Sequence, residues 1–144
     1  MPPPNRNAYS AYRSAEIETL TQRDLIIKLY QGAERFLIGA KMAMENKEIE
    51  NANTLSQKAK RIFMELLSTL DFEQGGAIAK QLRDLYLFII SSIVEANLRK
   101  DPERIGQILP IVATLREGWE QVPANEANGG RAAGDRGQVL NMRL

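Results

Sequence analysis

The chain of 144 residues contains no cysteine and no histidine. Without cysteine there can be no disulfide, no thiolate metal site and no thiol nucleophile. Without histidine the commonest general base and metal ligand is missing, which excludes Ser-His-Asp triads and Glu-x-x-His di-iron bundles. Carboxylates are plentiful, but none forms a compelling inward-facing pair. We therefore expect a protein that is not an enzyme and that needs no cofactor or metal.

Strong net charge and long apolar runs are also absent. The formal net charge is +1, whereas nucleic-acid binders usually carry a basic face or stripe. No apolar run is long enough for a spanning helix. The N-terminal sequence MPPPNRNAYSAYRSAE has no apolar core of a secretory signal. These features predict a cytoplasmic protein that neither binds nucleic acid nor inserts stably into a membrane.

Proline and glycine divide the chain into three parts. Residues 1–18 begin with three prolines and continue with polar and small residues, which suggests an N-terminal arm. Residues 123–144 are rich in Gly, Asn and Ala and are predicted to be a disordered tail. Residues 19–122 show strong helical periodicity with short breaks, which indicates one folded domain.

Start signals place four helices in this domain. Thr21 and Asp24 have the spacing of a capping box, and Asp101 followed by Pro102 is a favourable start for the last helix. The second helix is expected from about Ile49, and the pair Gly75-Gly76 should end one element or precede the next. Pro110 lies inside the last helix, where we expect a kink.

The apolar residues recur in steps of three and four in each helix, which is typical of antiparallel bundles. Because the breaks are short, consecutive helices should be antiparallel neighbours. The predicted fold is all-α, an antiparallel up-down four-helix bundle with an N-terminal arm and a flexible C-terminal tail. The predicted core stripes are Ile26, Leu29, Ala33, Phe36, Ala40 and Met44; Ala52, Leu55, Ala59, Ile62, Leu66 and Leu70; Ile78, Leu82, Leu85, Ile89, Ile93 and Ala96; and Ile105, Ile108, Val112, Leu115 and Trp119.

The third helix has more apolar residues than one core stripe needs. Besides its core stripe it carries a second, adjacent sector, and a bundle helix normally needs a stripe only a little over 100° wide. Two explanations remain open: this helix is the most buried of the four, or it offers a groove to a partner. Ile27 and Ile38 lie off the main apolar face of the first helix, and for them too it is open whether they bind a partner. The second sector consists of Leu87, Ile90, Val94 and Leu98.

Several motifs occur in an order that resembles the FliS family of flagellin-specific export chaperones. TLTQRDLI at residues 19–26 leads into LYQGA at 29–33, where the family has a Thr-x-Ser/Thr-x-x-Glu-Leu-Ile stretch followed by Leu-Tyr-x-Gly-Ala. The further matches, in order, are Glu65-Leu66, Leu70-Asp71, Gly75-Gly76, Leu82-x-x-Leu85-Tyr86, Glu95-Ala96-Asn97, Asp101-Pro102 and Leu115-Arg116-Glu117-x-Trp119. The resemblance covers about residues 9–122.

The resemblance implies a cytoplasmic helical bundle that binds the C-terminal region of new flagellin, prevents premature polymerisation and delivers the subunit to the flagellar type III export apparatus. It also brings in the export gate, an anti-sigma factor and a co-chaperone as candidate partners. In the family the arm can cover part of the client surface when no client is bound. The candidate partner-binding residues are Tyr9, Tyr12, Ile27, Tyr30, Ile38, Leu87, Ile90, Val94 and Leu98. The alternative from another class is a structural protein whose surplus apolar face forms a homodimer.

Overall fold

The computed structural model describes residues 21–123, and these form four α-helices. Helix α1 spans Gln22–Glu45, α2 spans Ile49–Ser68, α3 spans Phe72–Arg99 and α4 spans Pro102–Glu120. The prediction of a four-helix, all-α bundle is confirmed. The predicted arm and most of the predicted tail lie outside the described residues.

The helices form a ring in which each one packs against two neighbours. Helices α1 and α3 both pack against α2 and α4. Because the connections are only two to three residues long, consecutive helices run antiparallel. Each helix therefore turns one side toward the shared core, two flanks toward its neighbours and the remaining side outward.

Side-chain caps explain where three of the helices begin. The Thr21 hydroxyl accepts a hydrogen bond from the Asp24 N–H at 3.0 Å, and the Asp101 carboxylate accepts from the Glu103 N–H at 3.1 Å. Both predicted starts are confirmed. Asp71 does the same for α3 by accepting from the second and third residues of that helix. These caps satisfy N–H groups that have no partner within the helix.

Two predicted irregularities have different outcomes. The helix α3 begins at Phe72, before Gly75-Gly76, but Gly76 is non-helical and separates a short first segment from the long one, so the predicted break at this pair is confirmed. Gly76 has φ +52° and ψ −125°, which kinks the helix in a conformation that only glycine adopts readily. The helix α4 is continuous through Pro110, an exposed residue near its middle, and the expected kink there stays a prediction.

The core runs along the middle of the ring and uses residues from all four helices. The predicted stripes of α3 and α4 supply Ile89, Ile93, Ile105, Ile108 and Val112, which are all buried. In α1 and α2 the core also includes Tyr30, Leu37 and Phe63, which are absent from the predicted stripes. Of the residues predicted for these two helices, seven are buried and five are half-buried; the buried ones are Ile26, Ala33, Ala40, Met44, Ala52, Ala59 and Leu66, and the half-buried ones are Leu29, Phe36, Leu55, Ile62 and Leu70. No helix in residues 21–123 is long and apolar enough to cross a membrane.

Ile27 is part of this core, and its predicted position on an exposed flank was wrong. Its side chain is only 8% exposed. On α1 it lies between Arg23 and Glu34, and both of these contact α4: Arg23 donates to the Glu120 carbonyl at 2.8 Å, and Glu34 accepts from Arg116 at 2.6 Å. Ile27 is therefore on the side of α1 that α4 covers.

Two tyrosines form a hydrogen bond across the centre of the ring. The hydroxyls of Tyr30 in α1 and Tyr86 in α3 are hydrogen bonded to each other, and both residues are fully buried. The Phe63 ring lies 6.4 Å from the Tyr30 ring and 6.0 Å from the Tyr86 ring, centroid to centroid. The pair thus joins two helices that are not neighbours and gives each hydroxyl a partner in an apolar environment.

Burial sets the acidity of this pair. It raises the pKa of Tyr30 to about 12, although hydrogen bonds from Tyr86 and Trp119 act in the opposite direction. It also raises the pKa of Tyr86, and the neighbouring Tyr30 adds to that shift. Both phenols are therefore neutral in the folded protein well above pH 10.

We expect each single tyrosine replacement to cause more than half of the loss of stability that the double replacement causes. Tyr30→Phe and Tyr86→Phe should each lower the free energy of unfolding by about 1–3 kcal/mol, because a buried hydroxyl loses its partner. The double variant should cost clearly less than the sum of the two. Urea denaturation of the four proteins measures this coupling, and strictly additive losses would contradict it.

The raised pKa values also predict a loss of stability at alkaline pH. In the unfolded chain tyrosine ionises near pH 10, while the folded protein holds Tyr30 neutral to about pH 12. The unfolded state therefore binds fewer protons above pH 10, and the free energy of unfolding falls as pH rises. Between pH 10 and 12 each of the two tyrosines should account for about 2 kcal/mol of this loss, so the wild type should lose about 4 kcal/mol more than the Tyr30→Phe/Tyr86→Phe variant, as measured by urea denaturation at each pH. Parallel pH profiles would refute the assignment.

Candidate partner-binding surface

The second apolar sector of α3 lies on the outside of the bundle. Leu87 is 47% exposed, Val94 47% and Leu98 80%. The three residues follow one line along the helix over about 16 Å, given a rise of 1.5 Å per residue. We call this line the α3 ridge. Within residues 21–123 the bundle leaves these side chains uncovered, so packing among the four helices does not explain the surplus apolar residues of α3.

Ile90 has a different position from the ridge residues. It is half-buried and packs against the core cluster. Its side chain fills part of the boundary between α2 and α3, next to the ridge and below it. Substitutions at Ile90 would therefore disturb the fold as well as any surface.

An open depression lies on each side of Val94 and Leu98. On the side toward α2, a cleft of about 210 Å³ is lined by Ser56, Gln57, Lys60, Ile93, Val94, Asn97 and Leu98. On the other side, a shallower depression contains Ser91, Glu95 and Arg99. The end of the ridge therefore stands between two recesses with polar edges, a shape that can receive the apolar side of a partner segment and align its polar groups.

A third cleft lies between α3 and α4 and is the most apolar of the three. It has a volume of about 380 Å³, and its walls include Ile78, Leu82, Leu85, Leu115, Trp119 and Val122. Ile78 was predicted in the core but is 37% exposed at the edge of this cleft. The kink at Gly76 lies just before it and ends the regular part of α3 at this point.

A smaller apolar patch lies on α1. Ile38 is 48% exposed, as predicted, and Met42, one turn later, is 55% exposed. Since α1 and α3 are not neighbours in the ring, this patch faces away from the α3 ridge. A partner that touched both would have to reach around the bundle.

Two ion pairs join α4 to its neighbours, one to α1 and one to α3. Arg116 of α4 donates to both Glu34 and Glu120, at 2.6 and 2.9 Å, and these hydrogen bonds raise the pKa of Arg116. Arg104 of α4 reaches Glu95 of α3 at 2.8 Å. The charged contacts thus hold α4 to its neighbours and leave Leu87, Val94 and Leu98 as an apolar surface.

The predicted site residues therefore separate into three groups. Leu87, Val94 and Leu98 are brought together on one exposed line, with Ile90 beside it, and Ile38 is exposed at a distance from them. Tyr30 is fully buried in the core and, like Ile27, has no surface to offer a partner in this structure. Tyr9 and Tyr12 lie outside the described residues.

Sequence reasoning missed several exposed apolar residues and the polar lining of the α2–α3 cleft. Met42 could have been found from its i, i+4 spacing with Ile38. Met64 and Phe88, which are 51% and 48% exposed, give no comparable signal because each is directly next to a core residue, Phe63 or Ile89, in the sequence. Ser56 and Asn97 come together only because α2 and α3 run antiparallel, so no local pattern could reveal them.

Nothing in the described residues provides an obvious catalytic or metal centre. No group of three or more acidic side chains in residues 21–123 could hold a metal ion. The surface features of this part of the chain are instead apolar lines and clefts bordered by polar groups.

Comparison with known proteins agrees with the architecture. The family model described as flagellar protein FliS matches residues 5–126. A protein of Campylobacter jejuni named flagellar secretion chaperone FliS is 36% identical over 122 residues, which cover 85% of this chain and 95% of that protein. Proteins of the same name from Vibrio cholerae and Salmonella typhimurium are each 30% identical, covering 85% and 78% of this chain and 93% and 87% of their own lengths.

The family match includes all four helices, the α3 ridge and the three clefts. It also begins well before α1, so that most of the predicted arm falls within it. With the relatives aligned over nearly their whole length, the chain belongs to the FliS family of flagellar secretion chaperones.

Proposed function

We propose that this protein is a cytoplasmic export chaperone that binds the C-terminal region of flagellin, keeps it from polymerising and delivers it to the flagellar type III export apparatus. The observation that carries the proposal is the α3 ridge, an apolar line that the bundle leaves exposed although it has a complete core of its own. Membership of the FliS family of flagellar secretion chaperones supports this choice of client.

In the proposed mechanism the chaperone buries an apolar face of the flagellin segment. A flagellin segment that would otherwise assemble with other subunits presents an apolar face, and a chaperone that buries this face removes the contact. At about 25 cal/mol per Å² of apolar surface, burial of about 200 Å² offsets about 5 kcal/mol, which is the scale of the cost of ordering a disordered client. No nucleotide is needed for this exchange of surfaces.

The arm regulates access in the same proposal. Arg23 donates to the carbonyl of Glu120, so the start of α1 lies beside the end of α4, where Trp119 and Val122 form one end of the α3–α4 cleft. A segment that precedes Thr21 therefore enters the bundle close to this apolar cleft. In this proposal the client covers the α3–α4 cleft as well as the ridge, and Tyr9 and Tyr12 occupy the cleft until the client displaces them.

We expect Val94→Asp with Leu98→Asp to abolish co-purification with flagellin. The ridge then carries two carboxylates that a bound apolar segment would desolvate, and affinity should fall more than about 100-fold. Both positions are exposed, so circular dichroism should show an unchanged helical fold. Pull-down from cells that co-express the cognate flagellin, with and without its last forty or so residues, measures the effect, since wrapped disordered segments have about this length.

The matched control adds the same charge elsewhere. Thr54→Asp with Gln107→Asp changes two exposed positions on α2 and α4 and should leave co-purification intact. Normal binding by the ridge variant would rule out the ridge as the client surface. Sedimentation of the free protein as a tight dimer that the ridge variant dissociates would favour the homodimer alternative.

We expect deletion of residues 1–18 to strengthen flagellin binding. If the arm covers the cleft in about nine molecules of ten, its removal should lower the apparent Kd about tenfold, since only uncovered molecules bind. Tyr9→Ser with Tyr12→Ser in the full chain should reproduce most of this gain. Isothermal titration calorimetry is the measurement, and unchanged or weaker binding by both variants would show that the arm does not compete.

A further inference from the structure

Two buried polar atoms without a partner, one on α2 and one on α3, belong to residues that line the same cleft beside the ridge. Ser56 of α2 is 1% exposed, and its hydroxyl has no hydrogen-bond partner within the described part of the chain. The Oδ1 atom of Asn97 in α3 is likewise buried without a partner there. Both residues line the cleft of about 210 Å³ that Val94 and Leu98 border on its outer side.

Neighbouring polar groups on the same two helices are satisfied. One turn further along the pair, Lys100 donates to Asn53 Oδ1 at 2.9 Å and to the Asn97 carbonyl at 2.7 Å. The fold can therefore pair polar side chains between α2 and α3. Ser56 and Asn97 Oδ1 are exceptions, and unsatisfied buried polar groups are rare enough that each requires an explanation.

The two unpaired atoms are explained if a bound partner brings hydrogen-bonding groups for them into the cleft. Asn97 Oδ1 can only accept a hydrogen bond, whereas the Ser56 hydroxyl can donate one. An amide group offers one N–H and one C=O at its two ends, so it complements both. The walls made by Ile93, Val94 and Leu98 would hold the carbon atoms next to such an amide.

We propose that Ser56 and Asn97 form a hydrogen-bonding subsite that receives an amide group of the client polypeptide in the α2–α3 cleft, beside the α3 ridge. This inference rests on the proposed function, because it takes flagellin to be the client. The ridge binds apolar surface of many shapes, and burial of such surface is not directional. The subsite instead fixes the position of the segment along the ridge, since a misplaced segment leaves two buried polar atoms unpaired.

The arrangement predicts opposite effects on stability and on binding. In the free protein the Ser56 hydroxyl is buried without compensation, so its removal should not harm the bundle and should raise the melting temperature. In the complex the same hydroxyl makes a hydrogen bond, so its removal should weaken binding. A serine with a purely structural role would not combine these two changes.

Ser92 provides the matched control. It is also fully buried with an unpartnered hydroxyl in the described residues, but it lines none of the three clefts. Ser92→Ala should therefore raise the melting temperature as Ser56→Ala does and leave flagellin affinity unchanged. Asn97→Ala is a second variant of the subsite and keeps the test decisive if Ser56→Ala folds poorly.

The experiment combines calorimetric melting of each free variant with titration of the cognate flagellin. We expect Ser56→Ala and Asn97→Ala each to raise the Kd about 5- to 20-fold, as for loss of a buried hydrogen bond, while Ser92→Ala binds like the wild type. Wild-type affinity in both Ser56→Ala and Asn97→Ala would overturn the subsite, and so would equal losses in all three variants. Failure of the wild type to bind flagellin would instead refute the proposed function.

A second set of titrations identifies the source of the amide. Each Asn and Gln in the flagellin C-terminal region is replaced by Leu and tested against wild type and Ser56→Ala. If a side chain supplies the amide, one replacement weakens wild-type binding and has no further effect on Ser56→Ala. If the main chain supplies it, no replacement shows this coupling, and the loss caused by Ser56→Ala remains in every flagellin variant.

Discussion

A ring of four helices can cover only part of the circumference of each helix, and the properties of this protein follow from that limit. Each helix contacts two neighbours and the shared core, so one side always faces outward. On α2 and α4 that side is mainly polar. On α3 it holds Leu87, Val94 and Leu98, which no residue of the described chain covers. The bundle is complete without them, so this apolar surface is available to another polypeptide.

The core does not depend on these exposed residues, because its own contacts determine how the four helices pack. The Tyr30–Tyr86 hydrogen bond joins α1 and α3, which are not neighbours in the ring, and the Phe63 ring lies next to both tyrosine rings. Such a buried polar pair favours one arrangement, since any shift of α3 against α1 would leave a hydroxyl without its partner. Ion pairs from Arg116 and Arg104 fix α4 between its neighbours. A rigid scaffold then presents the ridge and the clefts in constant positions.

The α2–α3 cleft shows where stability and binding conflict. An apolar residue in place of Ser56 would suit the free bundle better, because an unpaired buried hydroxyl is unfavourable. Violations of polar satisfaction tend to occur at functional sites. In this chain two such atoms, on Ser56 and Asn97, belong to the lining of the cleft that borders the ridge, whereas the equally buried Ser92 lines none of the three clefts.

The sequence by itself determined the number of helices, most of their ends and the family, because caps, spacing and short breaks are local signals. It also determined that α3 has surplus apolar residues. Only the tertiary structure decided which of these are surface: Ile27 and Tyr30 are buried, whereas Met42 and Ile78 are exposed. Periodicity gives the direction of a side chain around its own helix, but the neighbouring helix at that level decides whether it is covered. For the same reason the meeting of Ser56 and Asn97, 41 residues apart in the chain, required the antiparallel packing of α2 on α3.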